Sequence, residues 1–230
     1  MFPSSIERRA TAAVVAVGLV FLVAACADME VQEPASEAAQ ETASDAVMAP
    51  LFEVDPMWPK PLPNHWILGS AIGVTVDSND NIWIIHRGNG NPSTELGAAQ
   101  DPPVAECCIP APPVLQFSPE GDLLNHWGGP GEGYDWPGSN HGITVDPMGN
   151  LWIGGNGGDD AHILVFAQDG TFLKQFGKPG ARKAEGFDEA DPEWSGNSMD
   201  PENFGRVAKI SFDASANEAY VADGYLNKRV

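Results

Sequence analysis

From residue 67 onward the chain runs as short apolar stretches broken by polar and turn-forming residues, and three of these stretches repeat. The first reads Gly73-Val74-Thr75-Val76-Asp77, then Asn81-Ile82-Trp83-Ile84. The second reads Gly142-Ile143-Thr144-Val145-Asp146, then Asn150-Leu151-Trp152-Ile153. The third reads Lys209-Ile210-Ser211-Phe212-Asp213, then Asn217-Glu218-Ala219-Tyr220-Val221. In each, a strand ends at Asp, a turn of three residues leads to Asn, and a second strand follows. That pattern predicts β-hairpins. Asp77, Asp146 and Asp213 recur at every turn, which predicts a structural role: the carboxylate caps the turn that follows it.

Two of the hairpins precede a further pair of strands. One pair is Val114-Leu115-Gln116-Phe117 and Leu123 to Trp127, joined across Pro119-Glu120-Gly121. The other is Ile163-Leu164-Val165-Phe166 and Phe172 to Phe176, joined across Gln168-Asp169-Gly170. Four antiparallel strands per repeat predict an all-β fold built from propeller blades. Blade 1 spans about 67–128, blade 2 about 138–177, and an incomplete blade 3 about 204–230. The Asp residues recur after 69 and 67 residues, longer than a bare blade of about 40 to 45. The excess falls in Gly/Pro-rich stretches at 88–112, 128–140 and 177–203. A blade wheel closes to hide its edge strands, and roughly two and a half blades do not close. The sequence therefore reads as the N-terminal portion of a longer propeller.

The first 49 residues follow a different logic. Arg8 and Arg9 precede an uncharged apolar run from Ala10 to Ala25, too short and too rich in small residues to predict a membrane span. It ends Leu22-Val23-Ala24-Ala25-Cys26, which resembles the lipobox of bacterial lipoproteins. That resemblance implies a signal peptide at 1–25 and lipidation of Cys26. It also implies an envelope location, held to the membrane through the lipid anchor alone. Ala27 rather than Asp follows the cysteine, which favours the outer membrane. Residues 26–49 carry six acids (Asp28, Glu30, Glu33, Glu37, Glu41, Asp45) and no base, and read as an acidic disordered tether ahead of a domain at 50–230. The whole chain has 32 acidic against 12 basic residues, a net charge of −20. Such a surface repels a phosphate backbone, so nucleic acid is excluded as a partner.

Three clusters carry candidate chemistry. The first blade ends its second strand at His86-Arg87-Gly88, the second opens its inner strand at Ser139-Asn140-His141-Gly142-Ile143, and the third reads Ala222-Asp223-Gly224-Tyr225. Arg87, His141 and Tyr225 thus occupy matching rim positions on three blades. The repeats resemble the NHL repeat of six-bladed propellers. The three clusters resemble those of peptidyl-α-hydroxyglycine α-amidating lyase, which cleaves a C-terminal hydroxyglycine to a peptide amide and glyoxylate. The resemblance covers most of 67–230. It implies Arg87 as a catalytic arginine, His141 as one of three zinc-binding histidines, and Tyr225 as a catalytic tyrosine. It also implies that Val74 and Ile143 hold a structural calcium through their backbone carbonyls. The remaining zinc ligands would fall after Val230, and Leu226 stands where the family has a cysteine. Neutral imidazole is a good zinc ligand, a guanidinium pairs with a carboxylate, and a phenol can act as a general base.

Other readings stand beside this one. A non-catalytic NHL propeller would bind a peptide, protein or glycan across its rim. A lactonase-type propeller hydrolase would need inner-strand acids that are not evident. His86 alternates to the face opposite Arg87 and reads as structural, while His65, His126 and His162 carry no pattern. Asp159-Asp160, after Gly154-Gly155-Asn156-Gly157-Gly158, resembles a cation-binding loop but reads as a flexible solvated one. Cys107-Cys108, flanked by Pro102-Pro103 and Pro110, Pro112 and Pro113, reads as a stiff, oxidisable rim loop.

Overall fold

The computed structural model describes residues 49–88, 96–181 and 197–230. Contacts divide the chain into Met1–Phe52 and Glu53–Val230, and the fold below is that of the second part. Cys26, the signal segment and nearly all of the acidic tether lie outside the described residues.

The described residues are all-β, with a short 3-10 turn at Gly97–Ala99 and no α-helix among them. The first sheet takes β2 (Ser70–Val76), β3 (Ile82–Arg87), β5 (Val114–Phe117) and β6 (Leu123–Trp127), antiparallel and in that order. The second takes β7 (Asn140–Val145), β8 (Leu151–Gly155), β9 (His162–Phe166) and β10 (Phe172–Gly177) in the same arrangement. A hairpin of β11 (Lys209–Asp213) and β12 (Glu218–Ala222) begins the third repeat. Neither four-stranded sheet closes on itself.

The Asp residues do cap their turns, and the sequence understates how fully. Asp77 Oδ1 accepts the backbone N–H of Asn79 and Asn81 at 2.9 and 3.0 Å. Its Oδ2 accepts from the Asn81 amide, the Trp83 indole and the Gln116 amide at 3.2, 3.0 and 3.2 Å. Asp146 repeats the scheme with Met148, Asn150 and the Trp152 indole, at 2.8 to 3.0 Å. The recurring Trp six residues after Asp is thus half core side chain and half hydrogen-bond donor. Burial disfavours the ionised form of both carboxylates, but the indole, amide and backbone donors outweigh it and hold both below their ordinary pKa of 3.8.

The third turn departs from the prediction. Asp213 pairs with Glu218, so four residues rather than three separate the strands. Asn217 sits inside the turn at φ 55° instead of opening β12. Ala219 occupies the Trp position, and Asp213 is satisfied by Ser215 and by the Ala216 N–H.

The outer hairpins share a second local device. Gly121 and Gly170 have φ +85° and +87°, and each donates its N–H back to the residue three before it. A register shift follows in both β5–β6 and β9–β10, as a left-handed residue at a bulge requires. At Gly170 a Cβ would also lie 2.9 Å from the Trp127 ring.

The main core lies between the two sheets. Trp83, Ile85 and Val114 from the first meet Ile143, Leu151, Ile153, Leu164 and Phe166 from the second. Full burial of one such side chain stabilises by about 1.5–3 kcal/mol. The inner strands β2 and β7 approach closely at Gly73, where a Cβ would lie 3.0 Å from the His141 carbonyl oxygen. Hydroxyls bridge successive repeats: Thr75 Oγ1 accepts the Val145 N–H at 3.3 Å, and Thr144 Oγ1 donates to the Ile210 carbonyl at 2.9 Å.

Two loops carry detail that the sequence does not display, and the second differs from its reading. In the insertion after β3, β4 (Ile109–Pro110) returns to pair in parallel with β1 (Trp66–Ile67), and Cys107 and Cys108, just before it, form a vicinal disulfide. The Asp159-Asp160 loop is not solvated at its centre. Asp160 is buried and accepts three backbone N–H groups: Gly138 at 2.8 Å, Ser139 at 3.1 Å and Gly157 at 2.6 Å. A carboxylate so occupied staples two loops together.

Candidate functional site

His141 is the second residue of β7, where the inner strand of the second repeat faces the third. Its Nδ1 lies 3.0 Å from the Ala208 carbonyl, the residue before β11. A carbonyl only accepts, so Nδ1 carries the proton. In the neutral ring Nε2 is then an acceptor, and the Tyr225 hydroxyl lies 2.9 Å from it. The two rings meet edge to face, with centroids 5.4 Å apart. Tyr225 follows β12 in a turn and is half exposed.

That turn is itself held firmly. Asp223 is buried and accepts from the Gly205 N–H at 2.5 Å, the Asn227 amide at 2.7 Å and Arg229 Nε at 2.9 Å. Arg229 also donates to the carbonyls of Ser198, Asp200 and Asn203, tying the 197–203 loop to the chain after β12. Tyr225 therefore stands on a braced loop rather than a free one.

Arg87 ends β3 and reaches across to the second repeat. Its Nε donates to the Asn140 carbonyl at 2.9 Å and its Nη2 to Asn156 Oδ1 at 2.8 Å. The Asn140 side chain returns the contact, donating to the His86 carbonyl at 2.8 Å. Two crossed bonds thus clamp the end of β3 to the start of β7, and place Arg87 one residue from His141. The structure brings His141 and Tyr225 into contact, and brings Arg87 to the Asn140 carbonyl, one residue before His141 in the chain.

Val74 and Ile143 hold matching register positions, opposite Ile84 and Ile153. Their side chains differ: Val74 is exposed and Ile143 lies in the core. His86 is structural, as its alternation predicts. It is fully buried, with Nδ1 accepting the Gly69 N–H at 3.1 Å and Nε2 donating to the Pro112 carbonyl at 2.9 Å. Burial pushes its pKa below the ordinary 6.5. His162 is buried too, with Nε2 donating to the Asp135 carbonyl at 2.7 Å.

For zinc, the described residues supply a single donor, His141 Nε2. His141 is fixed in the tautomer that leaves a lone pair on Nε2, and a second-sphere carbonyl on the other nitrogen is the usual support of a ligating imidazole. Among the described residues no group of three His, Cys, Asp or Glu side chains gathers around it. The Tyr225 hydroxyl holds the same lone pair that a metal would use. Asn140, Asn156 and Ala208 were not legible as site residues. An isolated Asn in a glycine run is a weak signal, and a backbone carbonyl is none.

No protein-family model matches this chain, and no curated protein matches it.

Proposed function

We propose that the chain forms blades of an NHL-type six-bladed β-propeller, tethered to the bacterial envelope through Cys26, that cleaves peptidyl-α-hydroxyglycine to a peptide amide and glyoxylate. The observation that carries this reading is the Tyr225 hydroxyl 2.9 Å from His141 Nε2, with His141 oriented by the Ala208 carbonyl. It joins a phenol and an imidazole from different repeats, with a guanidinium clamped one residue away.

In this reading Arg87 binds the substrate carboxylate, for which its permanent charge and planar donors suit it. Tyr225, as the phenolate left once its own proton has passed to solvent, takes the proton of the substrate hydroxyl. The electrons of that O–H bond form the aldehyde of glyoxylate, the carbon–nitrogen bond breaks, and a proton completes the departing amide. His141 Nε2 would be this chain's zinc ligand, the Tyr225 hydroxyl giving up that lone pair, and zinc would supply Lewis-acid polarisation of the hydroxyl or carboxylate. The carbonyls of Val74 and Ile143 would hold a structural calcium.

A second reading is a non-catalytic propeller that binds a peptide, protein or glycan at the same rim. What favours it is that Arg87 already spends Nε and Nη2 on Asn140 and Asn156. Glyoxylate formation by the native, zinc-supplied protein from a peptide ending in α-hydroxyglycine separates the two. The lyase reading expects stoichiometric glyoxylate and peptide amide. Folded, metal-loaded protein that yields neither leaves the binding module.

A further inference from the structure

A cleft of about 370 Å³ opens beside Arg87 between the first two repeats. Its wall includes Pro110, Pro113, Pro130, Trp136 and Pro137, with Arg87 as its cation. We propose that this cleft receives a large apolar side chain, aromatic by preference, on the substrate residue that precedes the cleaved hydroxyglycine. The inference rests on the lyase reading and names the substrates that reading would favour.

Four prolines offer no backbone N–H, and their fixed φ makes the wall stiff. That proline-lined side of the cleft is stiff and receives an apolar group with little ordering cost. Trp136 is set in place by its neighbours, with ring centroids 5.9 Å from Phe166 and 6.4 Å from Tyr134. It also closes over Gly128, where φ is +108° and a Cβ would lie 2.8 Å from the indole. The aromatic face is therefore part of the fold and not an adaptable surface residue.

The charge comes next. Among the described residues, the partners of Arg87 are a carbonyl and an amide oxygen, both neutral. A guanidinium beside an apolar wall suits a ligand that carries a carboxylate next to an apolar group. A peptide C-terminus, with its carboxylate one residue beyond a side chain, has that form.

Place and size agree. Ser139 and Asn140 also line the cleft, and the next residue is His141. Arg87, the residue that the lyase reading gives to the substrate carboxylate, is common to this cleft and to the candidate site. Ligand pockets run from about 300 to 1,000 Å³, and this one lies at the small end, sized for one side chain rather than a length of peptide.

Binding can be measured without turnover. Calorimetry on the native protein would use otherwise identical peptides ending in phenylalanyl-glycine, leucyl-glycine or alanyl-glycine, none hydroxylated. The phenylalanyl peptide should bind at least about tenfold more tightly than the alanyl peptide, in the range for filling a hydrophobic pocket. Trp136→Ala and Pro130→Asp should each bring that ratio to within about twofold. Pro130 is exposed, so its variant tests the cleft even if Trp136→Ala fails to fold. Equal affinities in the native protein, no binding of any peptide, or a preference that survives Pro130→Asp would overturn the proposal. A preserved aromatic preference without glyoxylate formation would support the pocket and remove only the lyase.

Discussion

Tyr225 Oη and His141 Nε2 meet at 2.9 Å across 84 residues of sequence. The contact depends on two braces: the Ala208 carbonyl on the far nitrogen of His141, and the Asp223–Arg229 pair under the Tyr225 turn. In the lyase reading Tyr225→Phe keeps the ring contact and loses the hydroxyl. Turnover should fall by about 10²–10⁴-fold, the usual share of a general acid or base. KM should change little, because the phenol moves a proton and Arg87 does the binding. Steady-state kinetics on both proteins checks this. A raised KM with unchanged kcat would make Tyr225 a binding residue.

Arg87→Lys should weaken substrate binding by tenfold or more. An ammonium cannot span from Asn140 to Asn156 and still present a planar fork to a carboxylate. Titration with a peptide ending in glycine measures it, and an unchanged affinity would place the substrate elsewhere.

The turn carboxylates make a stability prediction independent of function. Asp77→Ala strands the Trp83 indole and the Gln116 amide, both buried, and Asp146→Ala strands the Trp152 indole. Each unsatisfied buried donor costs about 1–3 kcal/mol, so Asp77→Ala should be the more damaging. Asp213→Ala should matter much less, since its partners are exposed. Urea unfolding of the three variants would show that ranking, and equal losses would contradict it.

Acid should act in two stages. His86 has a folded pKa below 6.5, so the unfolded chain takes up its proton first. Its contribution is fully present above about 6.5 and is lost as pH falls toward the folded value. Asp77 and Asp146 lie below 3.8 in the folded protein, and their contribution is lost as pH falls from there through their folded pKa values. Melting temperature against pH should therefore drop first below about 6.5 and again below about 3.8. His86→Gln should flatten the first drop and leave the second.

The hairpins were legible because their information is local. Asp followed four residues later by Asn, with an intervening left-handed Asp80 or Gly149, writes the turn into five positions. The third repeat shows the limit of that reading. Asp213 and Asn217 keep the same spacing, yet Asn217 moves into the turn, and Ala219 offers no indole to hold the shorter form. The parallel pairing of Trp66–Ile67 with Ile109–Pro110 involves two residues on each side, too few to show a period. Asp160 looked like a solvated acid because its three partners are backbone N–H groups, which no sequence displays. The candidate site was legible only through resemblance. Arg87 and Asn156 lie 69 residues apart, and nothing local couples them.

At the other end of the chain, Cys26 should be acylated. Metabolic labelling with a fatty acid should mark the native protein and leave Cys26→Ala unmarked. Equal labelling of both would remove the lipid anchor.

Anomalous scattering at the zinc edge, from crystals of the native protein grown with zinc, tests the proposed site most directly. The expected result is a peak about 2.0–2.1 Å from His141 Nε2, with the Tyr225 hydroxyl displaced from that nitrogen and still close to the metal. A zinc peak elsewhere, with the Tyr225 hydroxyl still bonded to His141 Nε2, would contradict it.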